Sequence, residues 1–130
     1  LGAQFLRHLQ RTRLLLHLVD ISPMEGGVEG VSPVEQVRAI ERELEKHDPE
    51  LLAKPRWLVL NKADLMFEDE ARTLAEQVVA ELGWTPPWYL VSALSRDGTW
   101  PIMKDVMAFF DRQREDALEA AANASAADAL

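Results

Sequence analysis

Three polar residues follow an apolar run without a spacer near the middle of the chain, in the sequence LVLNKAD from Leu58 to Asp64. An apolar run of this kind is typical of a buried parallel strand. In open α/β sheets, ligands bind just beyond the carboxyl ends of such strands. We therefore predict that Asn61, Lys62 and Asp64 lie at a ligand-binding rim.

The chemistry of these three side chains favours a guanine base. The carboxylate of Asp64 can accept from two adjacent donors at once, and guanine offers such a pair on N1–H and its exocyclic amino group, whereas adenine does not. Lys62 can lay its methylene stem along a purine face, and the Asn61 amide can bond both the base and nearby loop backbone. The alternative interpretation of this short pattern is a polar strand-to-helix loop.

A second strand end strengthens the guanine interpretation. The apolar run WYLV, from Trp88 to Val91, is followed directly by Ser92, Ala93 and Leu94. In guanine-nucleotide-binding proteins an Asn-Lys-x-Asp strand end is followed, after one helix, by a Ser-Ala-x strand end. The two strand ends of this chain resemble that pair, which forms the fourth and fifth signature motifs of a small GTPase.

The wider sequence resembles the Obg (CgtA) family of GTPases, from Leu1 to about Arg114. Four segments look like that family: GAQFLRHL (2–9), LHLVD (16–20), KPRWLVLNK (54–62) and WYLVSA (88–93). The resemblance implies that this chain is the C-terminal half of a GTPase domain.

The resemblance also implies a ligand, a cofactor and a partner. A protein of this family cycles between GTP and GDP with Mg²⁺ and binds the large ribosomal subunit during its assembly. By resemblance, the backbone N–H of Ala93 meets the base oxygen O6. The residues implied to surround the guanine base are Asn61, Lys62, Asp64, Ser92, Ala93 and Leu94.

The residues that would carry out hydrolysis are not in this sequence. It contains no G-x-x-x-x-G-K-[ST] phosphate loop, no switch threonine and no Asp-x-x-Gly for magnesium. We expect those groups upstream of Leu1, so we predict no catalytic and no metal-binding residue here and an inactive isolated chain. The alternative is a non-enzymatic α/β interaction module, or a remnant that keeps the motifs without nucleotide activity.

The sheet that positions both strand ends follows from the order of elements. Helix and strand patterns alternate along the chain, which demands a parallel sheet with right-handed crossovers. The predicted fold class is α/β, a three-layer α-β-α arrangement equivalent to the C-terminal half of a P-loop GTPase domain. In a complete domain the strand from Leu14 to Val19 would pair on one edge with further strands, so we expect the isolated chain to self-associate or to be only marginally stable.

Helix boundaries are marked by local signals. Ser32 to Glu35 has the form of a capping box, and the helix that it begins should end near Lys46. We expect Gly83 to be the C-terminal cap of the helix after Asp64 and Thr99 to cap the last helix.

Three further features receive ordinary interpretations. His17, inside an apolar strand, is expected to be a hydrogen-bonded core residue and not a metal ligand. The segment Asp20–Gly30 lacks a lysine and the spacing of a phosphate loop, so it is predicted to be a flexible surface loop. A basic cluster is interpreted as a solvated helix face: Arg7, His8, Arg11 and Arg13.

Composition limits the environments and partners that are possible for this protein. The 130 residues include no cysteine, which excludes disulfide partners, and no apolar run approaches the roughly 20 residues that cross a bilayer. We therefore predict a cytoplasmic protein without a membrane partner. The net charge of −8 argues against a broad electrostatic contact with nucleic acid.

We assign residues 1–114 to the GTPase domain and expect the alanine-rich tail, residues 115–130, to be frayed or disordered.

Overall fold

The computed structural model describes residues 2–21, 32–62, 66–92 and 98–128. The elements within these ranges are α1 (Ala3–Leu9), β1 (Leu15–Asp20), α2 (Pro33–His47), α3 (Glu50–Ala53), β2 (Arg56–Asn61), α4 (Glu68–Leu82), β3 (Trp88–Val91) and α5 (Thr99–Asp128). Contacts between backbone segments divide the chain into two compact units, residues 1–97 and residues 98–130.

The three strands form one parallel sheet in the order β1-β2-β3. Asp20 is the partner of Asn61 in this register, and Asn61 is the partner of Val91. The carboxyl ends of all three strands therefore meet at one edge of the sheet. The α/β class and the parallel sheet are as predicted, and the arrangement is compatible with α-β-α layering.

The main core lies between one face of the sheet and the helices α2 and α4. Leu58 and Leu60 of β2 are fully buried there, and Val37 of α2 packs against the same cluster. Ala71 and Ala75 of α4 are also fully buried, and their small side chains let this helix approach the sheet closely. Burial of the four central residues of β2, Trp57 to Leu60, explains the uninterrupted apolar run before Asn61.

The predicted helix caps are present at two boundaries. The backbone N–H of Glu35 donates to Oγ of Ser32 at 3.2 Å, and Pro33 occupies the first position of α2. Gly83 closes α4 with φ of 62°, in the left-handed region where a side chain would be strained.

Two elements differ from the sequence expectation. The one-turn helix α3 was not predicted, because four residues are too few to show a helical period. The last helix begins at Thr99 itself and continues to Asp128, through most of the alanine-rich segment. Fraying of that segment in solution stays a prediction.

The proposed flexible loop, Asp20–Gly30, falls almost wholly on residues 22–31, outside the described part of the chain. Among the described helices, none has both the length and the apolar character needed to cross a membrane.

Candidate functional site

The carboxyl ends of the three strands form a rim that includes Asp20, Asn61, Lys62 and Ser92, called the strand-end rim below. The N–H of Lys62 donates to the carbonyl oxygen of Val91 at 2.9 Å. On the other side, the N–H of Ile21 donates to the carbonyl oxygen of Asn61 at 3.0 Å. The ladder of hydrogen bonds thus continues past the strand ends and fixes the Asn61-Lys62 peptide between its two neighbours.

The side chain of Lys62 is held against the start of α4. Its ammonium nitrogen lies 2.7 Å from Oε2 of Glu68, which is in the first turn of that helix. Only 13% of the Lys62 side chain is exposed, whereas 63% of the Glu68 side chain is exposed. The hydrogen bond from Lys62, together with its positive charge, lowers the pKa of the Glu68 carboxyl. The lysine stem is therefore sheltered while its charged end stays at the surface.

Ser92 completes the rim from the third strand. It follows Val91 directly and is almost completely buried, at 1% exposure. Because Val91 is the register partner of Asn61, the structure brings Asn61 and Lys62 beside the end of β3, where Ser92 follows Val91. Asn61, Lys62 and Ser92 therefore lie at the same edge of the sheet, and their roles in binding stay predictions.

Three of the six predicted base-binding residues, Asp64, Ala93 and Leu94, lie outside the described residues. Their roles stay predictions. For Asp64 this includes the reading of the guanine edge, which rests on its chemistry and on the motif.

Sequence reasoning missed the role of Glu68. The acidic residues at the start of α4 are expected there because negative charge is favourable near the positive end of a helix dipole. The sequence does indicate that such a contact is possible, because acidic residues at the start of the next helix follow Lys62 closely. Such spacing is compatible with an ion pair but does not specify which of Glu68, Asp69 and Glu70 forms it.

A second polar cluster lies at the opposite end of β2. Nη2 of Arg56 donates to Oε2 of Glu41 at 2.5 Å, and the guanidinium lies 5.0 Å from the ring centre of Trp84. Burial alone would raise the pKa of the Glu41 carboxyl, but hydrogen bonds and positive charge from Arg56 and Arg38 outweigh burial and lower it. This cluster joins α2 to the sheet far from the strand-end rim.

His17 corrects one expectation. Its Nδ1 is buried and has no hydrogen-bond partner within the described ranges, and the same is true of Nη1 of Arg56. The predicted hydrogen bond of a core histidine is therefore missing at Nδ1, and of the Arg56 nitrogens it is Nη2 that donates to Glu41. Burial first, and then the charge of Arg56, lower the pKa of His17 to about 4, against a smaller opposing effect of Glu41. The histidine is neutral at pH 7.

The part of the chain that the structure describes contains no group of three or more histidine, aspartate or glutamate side chains placed to hold a metal ion. The strand-end rim has the Asn61 amide and the Lys62 ammonium on a backbone that is hydrogen-bonded on both sides, with the Ser92 side chain buried beside them. No protein-family model matches the chain.

Proposed function

We propose that this chain is the guanine-recognition half of an Obg-type GTPase, and that its fold is the C-terminal half of a P-loop GTPase domain. One observation supports the proposal above the others. The parallel register sets Asn61 opposite Val91, and the N–H of Lys62 donates to the Val91 carbonyl, so the two motif-bearing strand ends are joined. A guanine base needs both strand ends at the same rim.

In this proposal each side chain has a separate task. Asp64 accepts hydrogen bonds from N1–H and the amino group of the base. Lys62 lays its methylene stem along one face of the ring, and Asn61 bonds the base and the neighbouring loop. Ser92 is buried at the end of β3, directly before Ala93 in the sequence.

The wider activity rests on the resemblance. The ligand is GTP or GDP with Mg²⁺, whose protein ligands are expected upstream of Leu1, and the partner is the large ribosomal subunit in the cytoplasm. Phosphates carry most of the charge of the nucleotide, and the backbone cradle and lysine that would compensate them are absent from this sequence. We therefore expect this chain alone to bind guanine nucleotides weakly and not to hydrolyse GTP.

A test on this chain uses the base without its phosphates. Guanosine and adenosine are added separately to ¹⁵N-labelled protein, and backbone amide shifts are followed by NMR. Guanosine should shift Asn61, Lys62 and Ser92, with dissociation constants on the order of 1 mM, and adenosine should leave them unchanged. Lys62→Ala should reduce the guanosine shifts, whereas the control Lys46→Ala, on an exposed helix surface, should not. Equal responses to both nucleosides, or none, would contradict the proposal and favour an interaction module.

A further inference from the structure

Positive charge is concentrated in one segment of this acidic chain. Of the 14 lysines and arginines, Arg7, Arg11 and Arg13 fall within residues 1–19, where there is no aspartate or glutamate. All 22 acids lie in the rest of the chain. Together with His8, these arginines form the basic cluster that the sequence interpreted as a solvated helix face, and all four residues are exposed. The charge of this segment is therefore opposite in sign to that of the whole chain.

The arginines of the basic cluster are not neutralised within the described part of the chain. Five other cations there form ion pairs with carboxylates: Arg38, Arg42, Arg56, Lys62 and Arg114. No described carboxylate forms such a pair with Arg7, Arg11 or Arg13. Asp48 lies close to this segment, but it accepts a hydrogen bond from Nε2 of Gln10 at 2.9 Å. The three guanidinium groups are exposed without a described counter-ion.

Helix capping does not account for these arginines. Basic side chains are common at the C-terminal end of a helix, where they complement its last carbonyl groups. At the end of α1, the carbonyl oxygens of His8 and Leu9 accept from backbone N–H groups at 3.1 Å each. Nζ of Lys54 donates to the carbonyl oxygens of Gln10 and Thr12. The carbonyl groups of this turn are thus satisfied without a guanidinium group.

The turn that contains Arg11 and Arg13 lies away from the strand-end rim. It directly precedes β1, and the N–H of Leu15 at the start of that strand donates to the carbonyl oxygen of Pro55 at 3.0 Å. This contact is at the amino ends of β1 and β2, whereas the rim is at the carboxyl ends. A partner that binds the basic cluster would therefore leave the rim open to a nucleotide.

We propose that the basic cluster binds the phosphate backbone of double-stranded RNA. The guanidinium group of arginine is always charged, and its planar fork can donate two hydrogen bonds to one phosphate. Contacts to phosphate carry no sequence information, so binding should not depend on the base sequence. The acids in the rest of the chain repel RNA and confine the contact to this segment. The proposal rests on the function proposed above, in which the partner is the large ribosomal subunit, a particle built mainly of RNA.

The test is fluorescence anisotropy of a labelled RNA duplex of about 20 base pairs, titrated with the chain in about 0.05 M NaCl. We expect a dissociation constant on the order of 100 µM, because the net charge of −8 opposes the local attraction. Phosphate contacts release counter-ions from the RNA. The logarithm of the association constant should therefore fall with the logarithm of the NaCl concentration, with a slope of about −2 to −3 for three contacts.

A triple variant and a control of equal charge separate the basic cluster from net charge. Arg7→Gln, Arg11→Gln and Arg13→Gln combined should raise the dissociation constant by about ten-fold or more and bring the salt slope close to zero. The control replaces three exposed cations elsewhere with glutamine, which changes the net charge equally: Arg72, Lys104 and Arg112. It should bind RNA within about two-fold of wild type. Circular dichroism should show that both variants are folded, since every changed side chain is exposed.

Three results would overturn the proposal. They are no RNA binding by wild type at about 1 mM protein, equal weakening by the two triple variants, and displacement of the RNA by poly-L-glutamate as effective as by unlabelled duplex. The last result would identify an acidic protein segment as the partner. The guanosine titration tests the rim separately, because the two surfaces share no residue. Loss of the guanosine response with RNA binding intact would count against the guanine proposal alone.

Discussion

The ammonium of Lys62 lies 2.7 Å from Oε2 of Glu68, so the first turn of α4 holds a side chain that emerges from the end of β2. Lys62 is also fixed through its backbone, by the hydrogen bond to Val91. A flexible lysine loses side-chain entropy when it is ordered over a ligand. If Lys62 lies along a guanine base, as we propose, its contact with Glu68 reduces the side-chain entropy that is lost on binding.

The first prediction concerns Glu68→Ala. Exposed ion pairs contribute little to folding, so the midpoint of urea unfolding should change only slightly. The guanosine-induced NMR shift of Lys62 should require several-fold more nucleoside, because the lysine is no longer ordered. Glu70→Ala removes a similar exposed acid from the same turn and serves as the control. If both variants bound guanosine as wild type does, Glu68 would have no positioning role.

The second prediction concerns the ion pair between Glu41 and Arg56. Glu41→Gln keeps the shape of the side chain but removes its charge, and leaves a guanidinium whose side chain is only 11% exposed. We expect a loss of about 1–3 kcal/mol in the free energy of unfolding, measured by urea denaturation. Glu35→Gln is the control on the same helix, since its contact with Arg42 is 4.0 Å long and well exposed. That variant should lose less than about 0.5 kcal/mol.

Local signals predicted much of the fold, and long-range contacts explain what they missed. The cap at Ser32, the left-handed Gly83 and the apolar strand before Asn61 depend on neighbours in sequence, so the sequence alone indicates them. The ion pair of Arg56 with Glu41 joins residues 15 positions apart, and no periodic pattern records it.

His17 shows the same limitation. An apolar strand predicts that a histidine is buried, and its surroundings decide whether it finds a hydrogen-bond partner. The direction of the Arg56 guanidinium, toward α2, is a property of the folded sheet. The ligand that we propose for the rim likewise depends on Asp64 and Ala93, which lie outside the described residues, so their roles stay predictions from chemistry and resemblance.

The third prediction concerns pH and His17. Its pKa is lowered from 6.5 to about 4 in the folded protein, chiefly by burial. Below pH 6.5 the unfolded chain binds a proton that the folded chain does not, so stability should fall as pH drops from about 6.5 to 4. The loss should approach about 3 kcal/mol across this window.

The measurement for His17 is the free energy of unfolding by urea at a series of pH values. His17→Leu removes the titrating group and should flatten the curve between pH 6.5 and 4. His47→Leu removes an exposed histidine and should leave the slope of the wild type. A wild-type curve that is already flat in this window would show that the folded histidine takes up its proton normally.

The last prediction concerns Asp64→Asn in the longer GTP-binding protein to which we propose that this chain belongs. The asparagine can place its NH₂ opposite the amino group of guanine, so that two donors face each other. Sites built to pair specific polar groups can reject a mismatched partner by about 10⁴-fold, so guanine affinity should fall severely.

The same Asp64→Asn variant should bind xanthine in preference to guanine. Xanthine carries a carbonyl where guanine carries its amino group, so the asparagine NH₂ can donate again and the preference should shift toward xanthosine nucleotides. The loop that contains Ala93 should be indifferent to the exchange, since by resemblance its N–H meets O6, which both purines share. The measurement is competition between GTP and XTP on wild type and variant. Retention of the guanine preference by Asp64→Asn would show that another residue reads the base.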